Sequence, residues 1–293
     1  MNNFQRPAWL GKDSIAPWIF LAPSAAGFIL FYIIPFGMGI VYSFTDATVG
    51  GAFVGFGNYA ALLNSRSFHK ASMNTLLFTG ISVPLLILLS LMLALLLNRQ
   101  RWTRSWLQTS FILPLVVPVA SITMIWQIFM DWNGALNAWM HSHSWGRIDW
   151  MQSDWSIGVV VVLYIWKNIG YDMILFLAGL QAIPVSYYES ARMDGASKLR
   201  QFVHITRVYL TPTMIFVVLI SIINSFKVFR ETYLLAGDYP YDRIYMVQHY
   251  MNNMFFSLDI QKLTAGATLM VGCILILVFI LLAIERRFQS FME

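Results

Sequence analysis

Residues 184–200 read PVSYYESARMDGASKLR and form a polar segment between two long apolar ones. Ser186 and Glu189 have the spacing of a capping box, in which a hydroxyl and a carboxylate bind free backbone N–H groups where a helix begins. Gly195 can adopt the positive φ that ends a short helix. Asp194 can cap the helix that follows. The pattern predicts two short helices that meet at an angle.

The residues beyond this turn continue with helical spacing. One face carries Leu199, Phe202, Val203, Thr206 and Leu210, and the other carries Arg200, Gln201, His204 and Arg207. The spacing therefore predicts an amphipathic second helix. A polar segment this ordered, within an otherwise apolar chain, is typical of a contact surface for another protein.

The composition identifies a membrane protein. The chain has 293 residues, of which 58% are hydrophobic and 11% charged, which is too apolar for an ordinary soluble domain. A helix needs roughly 20 apolar residues to cross a bilayer. Six runs are long enough, at about 17–44, 71–97, 106–130, 156–182, 212–236 and 263–284. Pro114 and Pro118 interrupt the third run, and Lys227, Arg230 and Glu231 interrupt the fifth. We predict an all-α polytopic membrane protein with about six transmembrane helices.

The distribution of basic residues predicts the orientation. With the N-terminus inside, the inner segments hold eleven basic residues: Arg6, Lys12, Arg99, Arg101, Arg104, Arg192, Lys198, Arg200, Arg207, Arg286 and Arg287. The outer loops hold five: Arg66, Lys70, Arg147, Arg243 and Lys262. The positive-inside bias then places both termini and the polar segment in the cytoplasm. The net charge of +5 lies next to membrane ends, where anionic membrane lipid attracts it, so it does not indicate a nucleic-acid partner.

Motifs for enzyme chemistry are missing from the sequence. It contains no G-x-x-x-x-G-K-[ST] phosphate loop, no H-E-x-x-H and no G-x-S-x-G. We therefore expect neither a catalytic site nor a bound cofactor in this chain. His141 and His143 are near several tryptophans in an outer loop, which is more typical of a membrane interface than of a metal site. The single cysteine, Cys273, cannot form a disulfide within the chain.

The polar segment resembles a known family motif. Residues 189–196, ESARMDGA, followed by Phe202, Ile205 and Pro212, resemble the EAA loop of permease subunits in bacterial ATP-binding-cassette importers. Residues 176–184, FLAGLQAIP, make the chain similar to the carbohydrate branch, the MalF-like permeases. This resemblance implies that residues 1–293 form a single permease domain with the MetI-like, type I importer fold. It also implies a location in the bacterial plasma (inner) membrane and a cytoplasmic coupling loop at about 184–211.

The resemblance further implies a set of partners. These are a second permease subunit of the MalG-like kind, two ATPase subunits that bind ATP and Mg, an extracellular sugar-binding protein and a carbohydrate substrate. In the family, the loop docks into a cleft of the ATPase subunit. The positions that match this coupling role here are Glu189, Ala191, Asp194, Gly195, Ala196 and Phe202.

Polar residues within the fourth and fifth runs predict a substrate path. An ionisable residue in a span costs roughly 2.5 to 3.5 kcal/mol, so it tends to face a cavity or a partner. Lys167 and Asp172 lie in the fourth run, and the fifth run holds the three charged residues named above. If the two helices face each other, these charges could neutralise in pairs. Aromatic faces, amides and hydroxyls suit a sugar. The candidates are Trp166, Asn168, Tyr171, Asn224, Ser225 and Lys227.

The family resemblance supports two of these candidates, and the polar groups also have an alternative role. Asn224 and Ser225 are similar in position to residues that contact sugar in MalF-like permeases. The alternative is that the polar groups only join helices or snorkel at the membrane surface. We favour that alternative for Arg230 and Glu231.

Other functional classes fit the sequence less well. A self-contained secondary transporter is the main alternative, and it normally shows more helices, inverted repeats and midplane carboxylates. An intramembrane enzyme would need a nucleophile with a base, or a metal set, inside the spans. We favour the permease subunit of a binding-protein-dependent sugar importer. The substrate stays open between an oligosaccharide, a polyol phosphate and a small glycoside.

Overall fold

The computed structural model describes residues 16–99 and 104–289, which are helical and contain no β-strand. The first half of the chain comprises α1 (Ala16–Phe28), a π-helical turn (Ile29–Ile33), α2 (Ile34–Tyr42), α3 (Gly57–Leu63), α4 (Arg66–Arg99), α5 (Arg104–Val116), α6 (Val119–Met130) and α7 (Ala135–Ser142). The second half comprises α8 (Ser156–Gln181), α9 (Val185–Met193), α10 (Lys198–Gln201), a π-helical turn (Phe202–Thr206), α11 (Arg207–Phe226), α12 (Phe229–Ala236), a 3₁₀ turn (Asp242–Ile244), α13 (Val247–Phe256) and α14 (Ile260–Gln289).

Five helical stretches of the described residues are long and apolar enough to cross a membrane. They are Phe20–Tyr42, Arg66–Asn98, Ser156–Gln181, Lys198–Ala236 and Ile260–Arg287. A bent pair, Trp106–Val116 with Val119–Ser142, forms a sixth candidate with an angle of 95° at its break. The predicted third run is therefore a broken span and not one straight helix. Pro118 lies at the break and directly precedes α6. Because proline has no backbone N–H, it cannot donate the hydrogen bond that would continue α5.

The predicted fifth run differs from the structure at its beginning. The helix starts at Lys198, not near residue 212, because the second helix of the loop continues through the π-helical turn into the span. A short break separates α11, which ends at Phe226, from α12, which starts at Phe229. This break coincides with the charged residues that interrupt the run in the sequence.

The centre of the molecule is formed by α4, α8 and α11, with α5 packed on the outer side of α8. Phe78 of α4 and Tyr164 of α8 meet edge to face, with 5.5 Å between ring centroids. Further along α8, Met173 and Phe176 are completely buried, and Leu210 of α11 is almost completely buried. Since lipid tails are as apolar as leucine, close packing and internal hydrogen bonds, not water exclusion, hold such helices together.

Two glycines of α8 allow this close packing. A β-carbon at Gly170 would lie 2.0 Å from the carbonyl oxygen of Phe111 in α5. One at Gly179 would lie 2.6 Å from Oγ1 of Thr213 in α11. The backbones can approach to this distance only because glycine has no side chain.

Hydrogen bonds also connect the central spans. The Tyr164 hydroxyl donates to the carbonyl oxygen of Ser221 at 2.6 Å. The Ser221 hydroxyl in turn lies 2.8 Å from Oδ2 of Asp172 and donates to it. Thr79 and Ser225 share a hydrogen bond of 3.0 Å between α4 and α11. These contacts fix the rotation of α8 and α11 about their axes, which decides the side chains that face one another at the site.

The first and last spans lie at the periphery. α14 packs against α2, α3, α11 and α13. The most apolar parts of Phe20–Tyr42 and Ile260–Arg287 have no buried residue. Both helices therefore present broad apolar surfaces that suit lipid or another membrane subunit.

Candidate functional site

A cavity of about 190 Å³ lies between α8 and the region where α11 passes into α12, with α5 on one side. It is lined by Leu115, Leu163, Tyr164, Lys167, Asn168, Asn224, Lys227, Val228 and Glu231. Residues 224, 227, 228 and 231 recur at three- and four-residue spacing, which places them on one face. The break after α11 lies within this set and lets the face widen into a cavity.

An ion pair crosses the cavity between two helices. Nζ of Lys167 on α8 donates to Oε1 of Glu231 on α12. The Glu231 side chain is only 4% exposed and that of Lys167 is 17% exposed, so the pair is largely shielded from water. The sequence predicts that charges of the fourth and fifth runs pair if the two helices face each other. The ion pair of Lys167 and Glu231 is such a pair. The second carboxylate oxygen of Glu231 is buried and has no hydrogen-bond partner among the described residues.

The remaining polar side chains of the cavity are two amides, a lysine and Tyr164, whose hydroxyl already bonds to Ser221. Nζ of Lys227 lies 3.3 Å from Oδ1 of Asn224 and donates to it. Nδ2 of Asn168 donates to the carbonyl oxygen of Tyr164 at 2.8 Å. Among the described residues, no carboxylate lies within ion-pair distance of Lys227. The cavity thus combines ammonium, amide and carboxylate groups in a small volume.

The structure brings together three of the six residues predicted for a substrate path, namely Asn168, Asn224 and Lys227. Trp166 packs on Trp126, with ring centroids 6.0 Å apart, and is not part of the cavity lining. Ser225 is buried and bonds to Thr79 and to the carbonyl oxygen of Ile222. Tyr171 is half-buried and also lies outside the lining. Whether these residues lie on the substrate path stays a prediction.

Three polar lining residues were not among the six candidates from the sequence, namely Tyr164, Lys167 and Glu231, and Glu231 is the one that the sequence misplaced. Its sequence position suggested a charge at the membrane boundary, but the structure buries it and pairs it with Lys167. Its spacing of four residues from Lys227 was the available signal, because residues four apart share a helix face. Asp172, in contrast, is bonded to Ser221 and does not line the cavity.

The coupling loop, residues 184–211, begins differently from the prediction. α9 starts at Val185 after Pro184, and no side chain caps its N-terminus. The predicted capping box of Ser186 and Glu189 is therefore wrong. Pro184 has an extended ψ of 132°, so the helix begins immediately after it and Ser186 lies inside the first turn. Glu189 is exposed on the surface of α9.

The turn at the end of α9 has the predicted glycine geometry. Gly195 has φ of +73°. Its N–H donates to the carbonyl oxygen of Arg192 at 3.0 Å, and the N–H of Ala196 donates to that of Ala191 at 2.9 Å. These two bonds define a Schellman motif, in which a left-handed residue closes the helix. The positive φ predicted for Gly195 is confirmed.

The second helix is not capped by Asp194, so that prediction is wrong. Asp194 ends α9, and the Schellman motif occupies the next two positions. The N-cap of α10 is therefore Ser197, whose hydroxyl oxygen accepts the N–H of Arg200 at 3.3 Å. The sequence contained this signal as well, since serine is a preferred N-cap residue.

The predicted faces of the second helix are partly exchanged. Gln201 is buried and donates from Nε2 to the carbonyl oxygen of Ala196 at 2.9 Å, whereas Leu199 is 73% exposed. Phe202–Thr206 form a π-helical turn, which holds more residues per turn than an α-helix. The residues before and after this turn therefore do not share the single inward face that an α-helical spacing predicts. Phe202 is half-buried and lines a cavity of about 430 Å³ between the loop and the ends of α4 and α8.

A hydrogen bond joins α9 to the π-helical turn within the loop, while the residues of α9 stay exposed or half-buried. The Tyr188 hydroxyl lies 2.9 Å from Oγ1 of Thr206. No residue of α9 is buried, and its large apolar side chain Met193 is 84% exposed. Ala191 and Ala196 are half-buried near the turn. Bonds within the loop thus hold a short helix whose apolar side chains are exposed.

Comparison with known proteins identifies the family. Residues 86–290, well over half of the chain, match the family described as binding-protein-dependent transport system inner membrane component. The chain belongs to this family. Its members are transport components and not enzymes, in agreement with the sequence prediction. The all-α, MetI-like fold class predicted from the sequence is likewise confirmed.

Two curated relatives illustrate this membership. The arabinooligosaccharides transport system permease protein AraP of Bacillus subtilis is 33% identical over 225 residues, covering 75% of this chain and 72% of AraP. The sulfoquinovosyl glycerol transport system permease protein SmoG of Agrobacterium fabrum is 30% identical over 252 residues, covering 82% and 81% of the two chains.

A solved structure supports the fold of this family member. A chain of the bacterial alginate ABC transporter, crystallised in complex with an alginate pentasaccharide-bound periplasmic protein, superposes with a TM-score of 0.82. The match covers 96% of this chain and 98% of that chain at 22% sequence identity. At this identity, the similarity shows the fold alone.

Proposed function

We propose that this chain is one of two permease subunits of an ATP-driven importer for saccharides that a binding protein delivers. The observation that carries this proposal is the geometry of α9, a rigid, capped helix outside the spans whose apolar side chains are exposed. Isolated exposed apolar residues are ordinary, but Met193 and Leu199 are both exposed on either side of the turn at Gly195, and Val185 is exposed at the start of α9. Such a surface is typical of a contact site for another protein.

The partner of this surface would be an ATPase subunit. Importers of this family have no nucleotide site in the permease, and the sequence here contains no phosphate loop. Glu189 and Asp194 lie on the exposed side of α9 next to Met193, so they can form polar contacts at the edge of an apolar contact. Ala191, Gly195 and Ala196 would let a second backbone come close.

The coupling loop would be cytoplasmic, together with both chain termini. This orientation follows from the basic residues next to the membrane ends. A second permease subunit would cover the apolar faces of the peripheral spans and complete the pore. The cavity lined by Asn168, Asn224 and Lys227 would lie on the saccharide path, because amides can satisfy both donor and acceptor positions of sugar hydroxyls.

The substrate class is supported by the relatives. The names of AraP and SmoG concern arabinooligosaccharides and sulfoquinovosyl glycerol, and both are saccharides or saccharide derivatives. The family that the chain matches is described as binding-protein-dependent. We therefore expect the same order of events here, with the binding protein first and the cavity second.

Site-specific cross-linking would test the coupling contact. With cysteine at Met193 in a Cys273→Ala background, we expect a cross-link to the ATPase subunit in the purified complex. The matched control is cysteine at Trp145, which is exposed in the loop on the opposite side and should give no such cross-link. An assembled complex with ATPase bound elsewhere and no reaction at residue 193 would contradict the proposed role of α9.

A further inference from the structure

The cavity between α8 and α12 carries a surplus of positive charge. Lys167 and Glu231 form an ion pair and neutralise each other. Lys227 also lines the cavity, yet no carboxylate of the described residues pairs with it. Asp172, the other carboxylate of α8 in this part of the bundle, bonds to Ser221 and is not part of the lining. One ammonium group is therefore left without a counter-ion at the cavity.

A neighbouring groove extends this positive character. It has a volume of about 370 Å³ and is lined by Lys227, Phe229, Arg230, Gln248, Met251, Asn252, Phe255 and Leu263. It contains two basic residues and no aspartate or glutamate. Lys227 lines both spaces, so the groove and the cavity meet at this side chain. In the proposed orientation, a ligand coming from the outside would meet Arg230 before it reaches Lys227.

Two polar groups at the cavity, on Lys227 and Glu231, are available to bind a ligand. Lys227 is exposed, and among the described residues its ammonium group donates to Oδ1 of Asn224 without a carboxylate partner, so it can still bind an anionic group. Glu231 lines the same cavity, is 3% exposed, and has one carboxylate oxygen buried without a hydrogen-bond partner. Buried polar atoms are almost always satisfied by a partner, water or a ligand. A ligand that brings both a negative charge and hydroxyl donors would satisfy the two groups together.

We propose that this cavity selects a saccharide unit carrying a negatively charged group over the neutral sugar of the same shape, with Lys227 as the specificity-determining residue. The proposal rests on the proposed function. Lys227 would bind the anionic group, Glu231 would accept from a hydroxyl, and the amides of Asn168 and Asn224 would contact other hydroxyls. A cavity of about 190 Å³ is smaller than a typical ligand pocket of roughly 300 Å³ or more, so it takes one unit at a time.

The geometry favours charge recognition over recognition of a particular anion. An ammonium group acts as a point charge with three rotatable donors, whereas the planar fork of arginine demands matching bidentate geometry. A carboxylate, a sulfate and a phosphate can each satisfy such a point charge. The shared chemistry is therefore an anionic sugar, and the experiment must separate the three anions.

Calorimetric titration of the purified transporter, assembled with its partner subunits and without the binding protein, tests this inference. Galacturonate and galactose serve as matched probes that differ at C6 only. We expect galacturonate to bind about tenfold more tightly or better, which corresponds to one hydrogen bond to a charged group. The preference should weaken as salt concentration rises, because ions screen the interaction. Galactose 6-phosphate and galactose 6-sulfate then show which anion binds best.

Substitutions assign the preference to one side chain. Lys227→Gln should reduce the affinity ratio of galacturonate to galactose to about one, while Lys227→Arg should retain most of it. Lys262→Gln is the matched control, since Lys262 pairs with Asp259 outside the cavity, and it should keep the ratio of the parent. These comparisons use affinity ratios, so a uniform loss of binding does not imitate the expected result.

Several results would overturn the inference. Equal or weaker binding of galacturonate, or no binding of either sugar, would show that the cavity does not select an anionic saccharide. A preference that survives in Lys227→Gln would place charge recognition elsewhere. If the reconstituted transporter imports neutral saccharides and rejects charged ones, the inference fails while the proposed function stands. If it imports no saccharide at all, the proposed function fails.

Discussion

At the scale of single residues, Gly195 has a conformation that other residues rarely adopt. Its φ of +73° lies in the left-handed region, where a β-branched side chain costs roughly 1 to 2 kcal/mol. No atom lies within 4 Å of a β-carbon built at this position, so the effect would arise from backbone strain and not from a clash. Gly195→Val should therefore misplace α9 while the chain still inserts and assembles.

We expect Gly195→Val to lower both saccharide uptake and substrate-stimulated ATP hydrolysis in reconstituted vesicles. Gly146→Val is a suitable control, because Gly146 lies in the loop between α7 and α8 without a positive φ and with open space around it. Normal uptake by Gly195→Val at matched abundance would show that the turn is not needed for coupling.

His249 on α13 should make stability depend on pH. The ring is completely buried against Phe229, with 4.8 Å between centroids, and Nδ1 accepts the backbone N–H of Met246 at 3.3 Å. Burial lowers the pKa of His249 from its ordinary value of 6.5 to about 4. The unfolded chain therefore binds a proton more readily, so His249 stabilises the fold above pH 6.5 and this contribution falls as the pH drops toward 4.

Thermal unfolding of the purified protein at several pH values checks this expectation. Between pH 7 and 4.5, the parent should lose on the order of 1 to 3 kcal/mol more stability than His249→Gln, which cannot titrate. The difference between the two proteins isolates this residue from other titrating groups. Identical pH profiles for the two proteins would mean that His249 is already accessible to protons in the folded state.

Sequence reasoning succeeded for the backbone conformation of Gly195 but failed for two helix caps and for one contact between helices. The positive φ of Gly195 follows from its place between two helical patterns, and the structure confirms it. The capping box at Ser186 failed because Pro184 starts the helix two residues earlier than the box requires. Glu231 was undervalued because its burial depends on α8, which is distant in sequence. Contacts between helices cannot be read from the spacing within one helix.

At the scale of elements, the contact between α5 and α8 depends on Gly170. A β-carbon there would lie 2.0 Å from the carbonyl oxygen of Phe111, which is a rigid backbone atom. Gly170→Ala should separate the two helices and lower stability by about 1 to 3 kcal/mol, the usual cost of overpacking. Gly80→Ala on α4 is the control, because open space surrounds that position.

Thermal stability of the two variants in detergent gives the measurement. We expect a lower unfolding temperature for Gly170→Ala and little change for Gly80→Ala. Equal stability of both variants would indicate that α5 can move away from α8 without loss, and the described contact would then contribute little to the fold.

The number and type of elements were largely predictable, whereas their breaks were not. Long apolar runs require spanning helices in a bilayer, and five of the six predicted runs lie largely within helices that are long and apolar enough to span. Pro118 marked the interruption of the third run, but its sequence position does not determine an angle of 95°. The continuous helix from Lys198 into the fifth span was missed because the polar residues before 212 read as loop.

At the scale of the whole molecule, the predicted topology places the coupling loop and the loop of α7 on opposite sides of the membrane. Single cysteines at Ser190 and Ser142, both exposed, should react from opposite sides with an impermeant thiol reagent. The background carries Cys273→Ala so that only the introduced thiol reacts. Labelling is measured in intact cells and in inverted vesicles, and reaction of both positions from the same side would contradict the six-span topology.

The central claim is that ATP hydrolysis in partner subunits drives saccharide import through this chain. Uptake of a labelled saccharide into vesicles tests it most directly, with the complete transporter reconstituted and the loaded binding protein added outside. We predict accumulation that requires both enclosed ATP and the binding protein, and that persists when ion gradients are collapsed. Accumulation that continues without ATP and stops when an ion gradient is collapsed would contradict this claim and identify a secondary transporter instead.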